Sequence, residues 1–215
     1  SSCSAPVSLK VPAGDNRPRS VCDTCGAIHY ENPKVVVGCL VIADDRVLLC
    51  RRGIDPRSGL WTLPAGYLET NETTEQGAVR ETWEEACARV DIDSLYTIFD
   101  LPYISQIYMF YRARLRDGRF SAGEETLEAD VFSERDLPWD KLAFPVVERT
   151  LKLYFQDREN DDFPIHSESI KKRPIRRYRL YRPKNPPHRP AKLPRSTHPR
   201  PTPPSPPAAV PAPHI

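Results

Sequence analysis

The sequence predicts an α/β layered domain, and three observations carry that reading. An unbroken β-branched apolar run at 35–42 is followed at once by a second run at 46–51, as in a buried hairpin. Two segments with helical spacing of apolar residues, 73–88 and 144–157, lie among further strand-like runs. All of these fall within residues 33–158 of a 215-residue chain whose composition changes at both ends.

The elements follow in order. Val35–Ile42 has no polar interruption, so both faces of that strand are expected to be covered. Asp44-Asp45 supplies the turn and Arg46–Arg51 the return. Gly53 to Gly59 reads as a polar loop, and Leu60–Leu63 as a short strand closed by Pro64 and Gly66. A helix is expected over Thr73–Ala88. Strands are expected at Tyr96–Phe99, Ile104–Leu115 and Ala129–Phe132, and a second helix at Phe144–Asp157, with Val147, Leu151 and Tyr154 or Phe155 on one face.

Charge divides the chain. From Lys171 to Ile215 there are 12 Lys and Arg and no acid, which leaves 31 − 12 = 19 basic against 29 acidic residues in 1–170. The net +2 therefore hides an acidic body of −10 with a basic end. Fourteen of the 24 prolines lie at or after Pro174. Such a segment has too few large apolar groups to fold, so 176–215 is expected to be a disordered basic, proline-rich tail, with 159–175 a C-terminal extension of the domain. The run RPIRRYRLYRPK in it offers charge for nucleic acid or an acidic surface, against the plainer reading of a solvated extension. No apolar run approaches the roughly 18 residues of a membrane helix, and the start is not signal-like, so a cytoplasmic protein is expected.

Six cysteines are present, and the expectation is that Cys39, Cys50 and Cys87 behave as small buried apolar residues. Cys22-x2-Cys25 followed by Gly26 has the form of a zinc knuckle, in which a small residue lets backbone amides turn toward the thiolates. Cys3 precedes Cys22 by 18 intervening residues, which suits the second cysteine of a first pair in a frame with roughly 15–20 residues between pairs. Residues 1–32 are thus expected to be a partial zinc ribbon with Cys3, Cys22 and Cys25 as ligands. Zinc occupancy stays open, because an incomplete site loses binding energy. His29 is a conceivable fourth ligand, with an ordinary strand histidine the stronger reading.

The stretch GYLETNETTEQGAVRETWEEACA, Gly66 to Ala88, concentrates the chemistry. On a helical wheel with Glu81 at zero, Glu85 falls at roughly 40° and Glu84 at roughly 300°. The three carboxylates share one face. Ala78, Val79, Thr82, Trp83 and Ala86 form the neighbouring packing side, and Gly77 leaves the acidic side open. Such an acidic face is relieved by a divalent cation, and hard oxygen ligands select Mg²⁺ or Mn²⁺; a solvated acidic face is the alternative. Arg80 can reach back to Glu72 in a bidentate pair that fixes the loop against the helix.

The spacing of Gly66, Glu72, Arg80, Glu81, Glu84 and Glu85 resembles the Nudix box, G-x5-E-x7-R-E-U-x-E-E-x-G-U with U bulky and apolar. Thr82 and Ala88 replace bulky apolar residues, and Cys87 replaces the closing glycine. Flanking stretches such as IHYENPKVVVGCLV and LPWDKLAFP are similar to bacterial zinc-ribbon Nudix hydrolases and to plant enzymes acting on FAD and ADP-ribose. The resemblance implies an α/β/α sandwich around a mixed sheet. It implies hydrolysis of the pyrophosphate bond of a nucleoside diphosphate linked to another moiety, with FAD or ADP-ribose foremost. Metal would be held by Glu81, Glu84, Glu85 and the carbonyl of Gly66 or Ala65, with Arg80 and Glu72 in support. Glu84, or Glu125 or Glu128 on a later loop, is the candidate base. Arg51 and Arg52 are candidates for phosphate, and Tyr67, Tyr103, Tyr108 and Phe144 for a flat ring. A homodimer is implied by the family alone. The competing reading is a non-catalytic nucleotide sensor or nucleic-acid-binding regulator on the same fold.

Overall fold

The structure, a computed structural model, describes residues 3–171. The tail expected at 176–215, and the last residues of the expected extension, lie outside the described residues. No helix among the described residues is long and apolar enough to cross a membrane.

Three short strands come first: β1 (Val7–Lys10), β2 (Arg19–Cys22) and β3 (Ile28–His29), antiparallel in that order. The turn between β2 and β3 carries the knuckle. Gly26 has φ +71°, a conformation glycine enters without steric cost. Its N–H donates to the Cys22 carbonyl at 3.1 Å, and Cys22 N–H donates to the Ala27 carbonyl at 2.8 Å.

The remaining strands form one mixed sheet: β4 (Lys34–Ala43), β5 (Arg46–Arg52), β6 (Trp61–Thr62), β7 (Ala65–Tyr67), β8 (Val90–Leu101), β9 (Gln106–Leu115), β10 (Thr126–Phe132) and β11 (His166–Ser169). Their order is β10-β5-β4-β9-β8-β11, with β6 paired to β5 and β7 to β4. The pairs β4–β9 and β8–β11 are parallel. Helix α1 (Thr74–Ala86) packs on one face, where Ala78 and Ala86 meet Val37, Cys39 and Val41. Helix α2 (Pro145–Arg158) packs on the other, where Val146, Val147 and Leu151 join Leu40, Tyr96, Phe99 and Phe110. Alternate residues of β4 thus enter different cores, which explains why the run is apolar without a break.

The structure corrects several boundaries. The strand expected at 96–99 is the second half of β8. Its first half escapes the apolar pattern because Asp91 and Asp93 pair across the strands with Arg116 at 2.6 Å and Arg114 at 2.9 Å. Residues Pro102–Ile104 are a 3₁₀ turn, so β9 starts at Gln106. The polar strand β11 gives no periodic signal. It is clipped in place by tertiary contacts: Glu168 takes a bidentate bond from Arg149, His166 pairs with Asp157 at 2.7 Å, and Ile170 N–H donates to the Asp100 carbonyl.

One irregularity positions everything that follows. Strands β4 and β5 pair only beside their turn, at Ile42–Val47 and Ala43–Arg46. Beyond that point β4 turns to β7 and β5 to β6. The sheet parts there, and the segment carrying Leu63 to Tyr67 fills the gap. Gly38 permits the close approach: a Cβ on it would overlap the Pro64 carbonyl and Ala65.

Candidate active site

Helix α1 begins with a capping box. Thr73 accepts from Gln76 N–H at 3.1 Å, and the Gln76 side chain accepts from Thr73 N–H at 2.8 Å. It ends two residues before the expected Ala88. Cys87 caps it in the left-handed region, φ +46°, with its N–H donating to Trp83 O at 2.8 Å. Cys87 is therefore half-exposed and conformationally strained, rather than a small buried apolar residue. Replacing it with glycine is expected to stabilise the protein by about 1 kcal/mol, read as a raised urea midpoint at unchanged slope.

The inward face of α1 also differs from the wheel. Gly77 is buried, and a Cβ there would stand 2.8 Å from both Glu72 and Val37, so this glycine permits contact rather than leaving a face open. Trp83 is 49% exposed, with the Arg89 guanidinium 5.7 Å from its ring, and does not pack inward. In its place Glu81 and Glu85 point toward the parted sheet. The side chain of Glu81 is 13% exposed and lies against Gly66, where any Cβ would displace it. Glu85 Oε2 accepts from Ala65 N–H at 3.1 Å. Glu84, 55% exposed, stays on the outer side.

Arg80 organises the loop and the acids together. Its Nε and Nη2 bind both oxygens of Glu72, at 3.0 and 2.7 Å, the bidentate pair expected from the spacing. Nη2 also donates to the Tyr67 carbonyl at 3.1 Å, and Nη1 to Glu81 at 2.7 Å and Glu84 at 3.0 Å. Glu72 is held down to about 2, chiefly by Arg80 and then by the Glu69 N–H. Burial acts in the opposite direction on the two inward acids. It raises Glu81, against the pull of Arg80. It pushes Glu85 up to about 7, aided by Glu81 and opposed by the Ala65 N–H.

Arg80, Glu81, Glu84 and Glu85 line one cleft of about 1830 Å³, together with Gly66, Tyr67, Arg52, Tyr103, Glu125 and Phe144. Arg52 faces it from β5, its Nε donating to the Pro56 carbonyl at 3.0 Å and its guanidinium 5.2 Å from the Phe144 ring. Glu125 arrives on a loop docked to the end of α1: Ser121 and Gly123 N–H donate to the carbonyls of Ala86 and Glu85. Two candidates are placed elsewhere. Arg51 and Glu128 are register partners on β5 and β10, form an ion pair at 3.0 Å, and do not line the cleft. Successive strand residues point to opposite faces, so Arg51 and Arg52 cannot both serve it. The sequence reading also missed the Ala65 amide and the docking glycine, Gly123. The latter had a signal in the GEET stretch, where a glycine precedes two acids.

The acids suit a hard divalent cation by donor type and by their partial burial as like charges. Their oxygens are spread, however. Glu81 and Glu84 are both drawn to Arg80, and Glu85 to Ala65. Among the described residues, the cluster whose ligand atoms all lie within 4.8 Å is Cys3, Cys22 and Cys25. There Cys3 Sγ is 3.3 Å from Cys22 Sγ and 3.4 Å from Cys25 Sγ, while His29 lies on β3 opposite Ser20. Backbone amides of Cys25 and Thr24, with Cys3, bring the Cys22 thiol down to about 7. By contrast Cys39 and Cys50 are sealed in the core, burial pushing Cys39 up to about 12.

Comparison with known proteins gives two family matches. The NUDIX domain model matches residues 32–154, and the Nudix N-terminal model, a zinc ribbon, matches residues 1–31. A crystal structure of a NUDIX hydrolase from Nitrosomonas europaea is similar with 49% identity and a TM-score of 0.77, covering 80% of this chain and 98% of that one. The ADP-ribose pyrophosphatase of Methanocaldococcus jannaschii is 32% identical over 122 residues, 54% of this chain and 69% of that protein. The NAD-capped RNA hydrolase NudC of Klebsiella pneumoniae is 30% identical over 122 residues, which are 46% of its length.

Proposed function

Because the chain belongs to the Nudix hydrolase family, we propose that it hydrolyses the pyrophosphate bond of a nucleoside diphosphate linked to another moiety, with ADP-ribose and FAD as the leading substrates. The observation that supports this most is that Glu81, Glu84 and Glu85 all line one cleft, the first two held by an arginine that is itself fixed by Glu72 and the third by the Ala65 N–H. A bound Mg²⁺ or Mn²⁺ would screen the diphosphate and activate the attacking water. Glu81, Glu84 and Glu85 would hold it, with the Gly66 carbonyl as a further ligand. Arg80 keeps two of these acids from swinging away, and the Ala65 N–H fixes the third. Arg52, which lines the same cleft, binds a phosphate oxygen. Water adds to one phosphorus while the bridging oxygen leaves with the other, and the proton lost by water passes to Glu84 or Glu125. ADP-ribose then gives AMP and ribose 5-phosphate, and FAD gives AMP and FMN.

The test is a panel of ADP-ribose, FAD, NADH and GTP with Mg²⁺, Mn²⁺ or EDTA, its products resolved chromatographically. AMP from at least one of the linked diphosphates, abolished by EDTA, is the expected result. Equal inertness of the wild type and of Glu85→Gln on every member would leave only the nucleotide-sensor reading. Pyrophosphate from GTP as the dominant product would move the substrate class to nucleoside triphosphates. The three clustered cysteines are proposed to bind zinc. Metal analysis of the purified protein is expected to find zinc in the wild type and to lose it in Cys22→Ser.

A further inference from the structure

The small sheet β1-β2-β3 ends at β1, and among the described residues no strand pairs with the outer edge of β1. The backbone bonds fix which groups point that way. Asp23 N–H donates to the Pro6 carbonyl at 3.1 Å, while Cys22 N–H donates to the Ala27 carbonyl at 2.8 Å, on the β3 side. Hydrogen-bonded and non-hydrogen-bonded pairs alternate along an antiparallel ladder. Val7 stands opposite Cys22, Ser8 opposite Val21 and Leu9 opposite Ser20, so residues 6, 8 and 10 are the ones that bond to β2. The N–H and C=O groups of Val7 and Leu9 face the open edge instead, and Val11, just beyond the strand, comes next in the same alternation.

The side chains along this edge are apolar and open. Val7 is 51% exposed, Leu9 76% and Val11 56%. They lie two residues apart and share one face. Ser8 and Lys10 take the other face, where both are bound to Asp23, Lys10 at 2.9 Å. Sheet edges are ordinarily guarded by charge, proline or a bulge. Here the lysine of the strand is turned to Asp23, and the two prolines, Pro6 and Pro12, flank the apolar row without interrupting it.

The row is also complementary to itself. Residues 6–12 read Pro-Val-Ser-Leu-Lys-Val-Pro, which runs alike from either end about Leu9 except for Ser8 and Lys10. A second copy laid antiparallel with Leu9 opposite Leu9 places each Val7 opposite a Val11. Ser8 then stands opposite Lys10, so no like charges are opposed. The Leu9 pair and the two valine pairs are the ones whose backbone groups face outward and exchange hydrogen bonds. The prolines meet at both ends and stop the ladder, having no N–H to give. A contact of this kind uses the same patch on both copies and closes as a two-fold dimer.

We propose that the open edge of β1 is a strand-pairing site for β1 of a second copy of this chain, joining the two three-stranded sheets about Leu9. None of residues 6–12 lines the acidic cleft, so the pairing stands apart from the substrate reading.

Sedimentation equilibrium of the full chain over a concentration series tests the pairing. Five residues a side, Val7 to Val11, make a small contact, so a concentration-dependent dimer is expected. Leu9→Lys and Leu9→Asp each set like charges against one another across the two-fold axis, and each weakens the dimer about tenfold or more. Mixed in equal amounts, the two variants set an ammonium against a carboxylate and associate more tightly than either alone, a rescue that misfolding would not show. Amide exchange reads the register. The Leu9 N–H slows as concentration rises, while the Ser8 N–H, already bonded to β2, keeps its rate. A wild type that stays monomeric up to its solubility limit overturns the proposal. So does a dimer indifferent to both substitutions, a mixture no tighter than its components, or a Leu9 amide whose exchange ignores concentration.

Discussion

Glu85→Gln is expected to lower kcat for ADP-ribose by about 10²–10⁴-fold, the range for losing a group engaged in proton or metal chemistry, and at the same time to stabilise the metal-free protein at neutral pH. Both effects have one cause. Glu85 is buried beside Glu81, which pushes it up to about 7 from an ordinary 4.5. Between those values the unfolded chain has released its proton while the folded chain still holds it. Stability therefore falls as pH rises from 4.5 to 7, by at most about 3 kcal/mol. Glutamine can accept from the Ala65 N–H without carrying charge, so the Glu85 part of the slope disappears. Urea unfolding in EDTA across pH 4–8 should show the wild type losing clearly more stability over that window than the variant. Retention of kcat within threefold would remove Glu85 from the chemistry. A level wild-type curve would remove the buried charge from the argument.

The second large effect belongs to Gly38→Ala, which is expected to cost about 3 kcal/mol and most of the activity. The added Cβ would meet the Pro64 carbonyl and the Ala65 backbone, and the carbonyl is also the acceptor of Cys39 N–H at 3.1 Å. Nothing at that contact is a flexible side-chain end, so β7 must shift, and with it the Ala65 amide that fixes Glu85. Gly66→Ala is the informative contrast. The three atoms its Cβ would meet first all belong to the Glu81 carboxylate, the end of a rotatable chain. Stability should hold while activity falls. Thermal melts and kcat measured on both variants separate the two roles. Equal melts would show that β4 and β7 are not in close contact.

The strands β4 and β5, both helices and the acidic stretch of α1 were legible because local chemistry announces them. A β-branched run, a turn of two aspartates and a 3.6-residue apolar rhythm need no partner to be read. The Arg80–Glu72 pair was legible too, since spacing alone sets an arginine within reach of the loop. Legibility failed where a distant contact supplies what the segment lacks. Strand β11 is polar and is tied down by Arg149, Asp157 and its pairing with β8. The first half of β8 hides its character behind aspartates that Arg114 of β9 and Arg116 just beyond it neutralise. Trp83 looks like a packing residue and is exposed, because Glu81 and Glu85 take the inward position.

The sequence by itself determined the layered α/β class, the acidic face of α1 with its arginine clamp, and the cysteine knuckle, since each is a matter of residue type at fixed spacing along a few turns of chain. Tertiary structure alone decided where those acids point. The sheet had to part between β4 and β5, with glycine at position 38 admitting β7, before an inward helix face could open on a cleft rather than a core. It also decided that Arg52 and not Arg51 lines that cleft, because strand alternation gives one of two adjacent arginines to each side of the sheet.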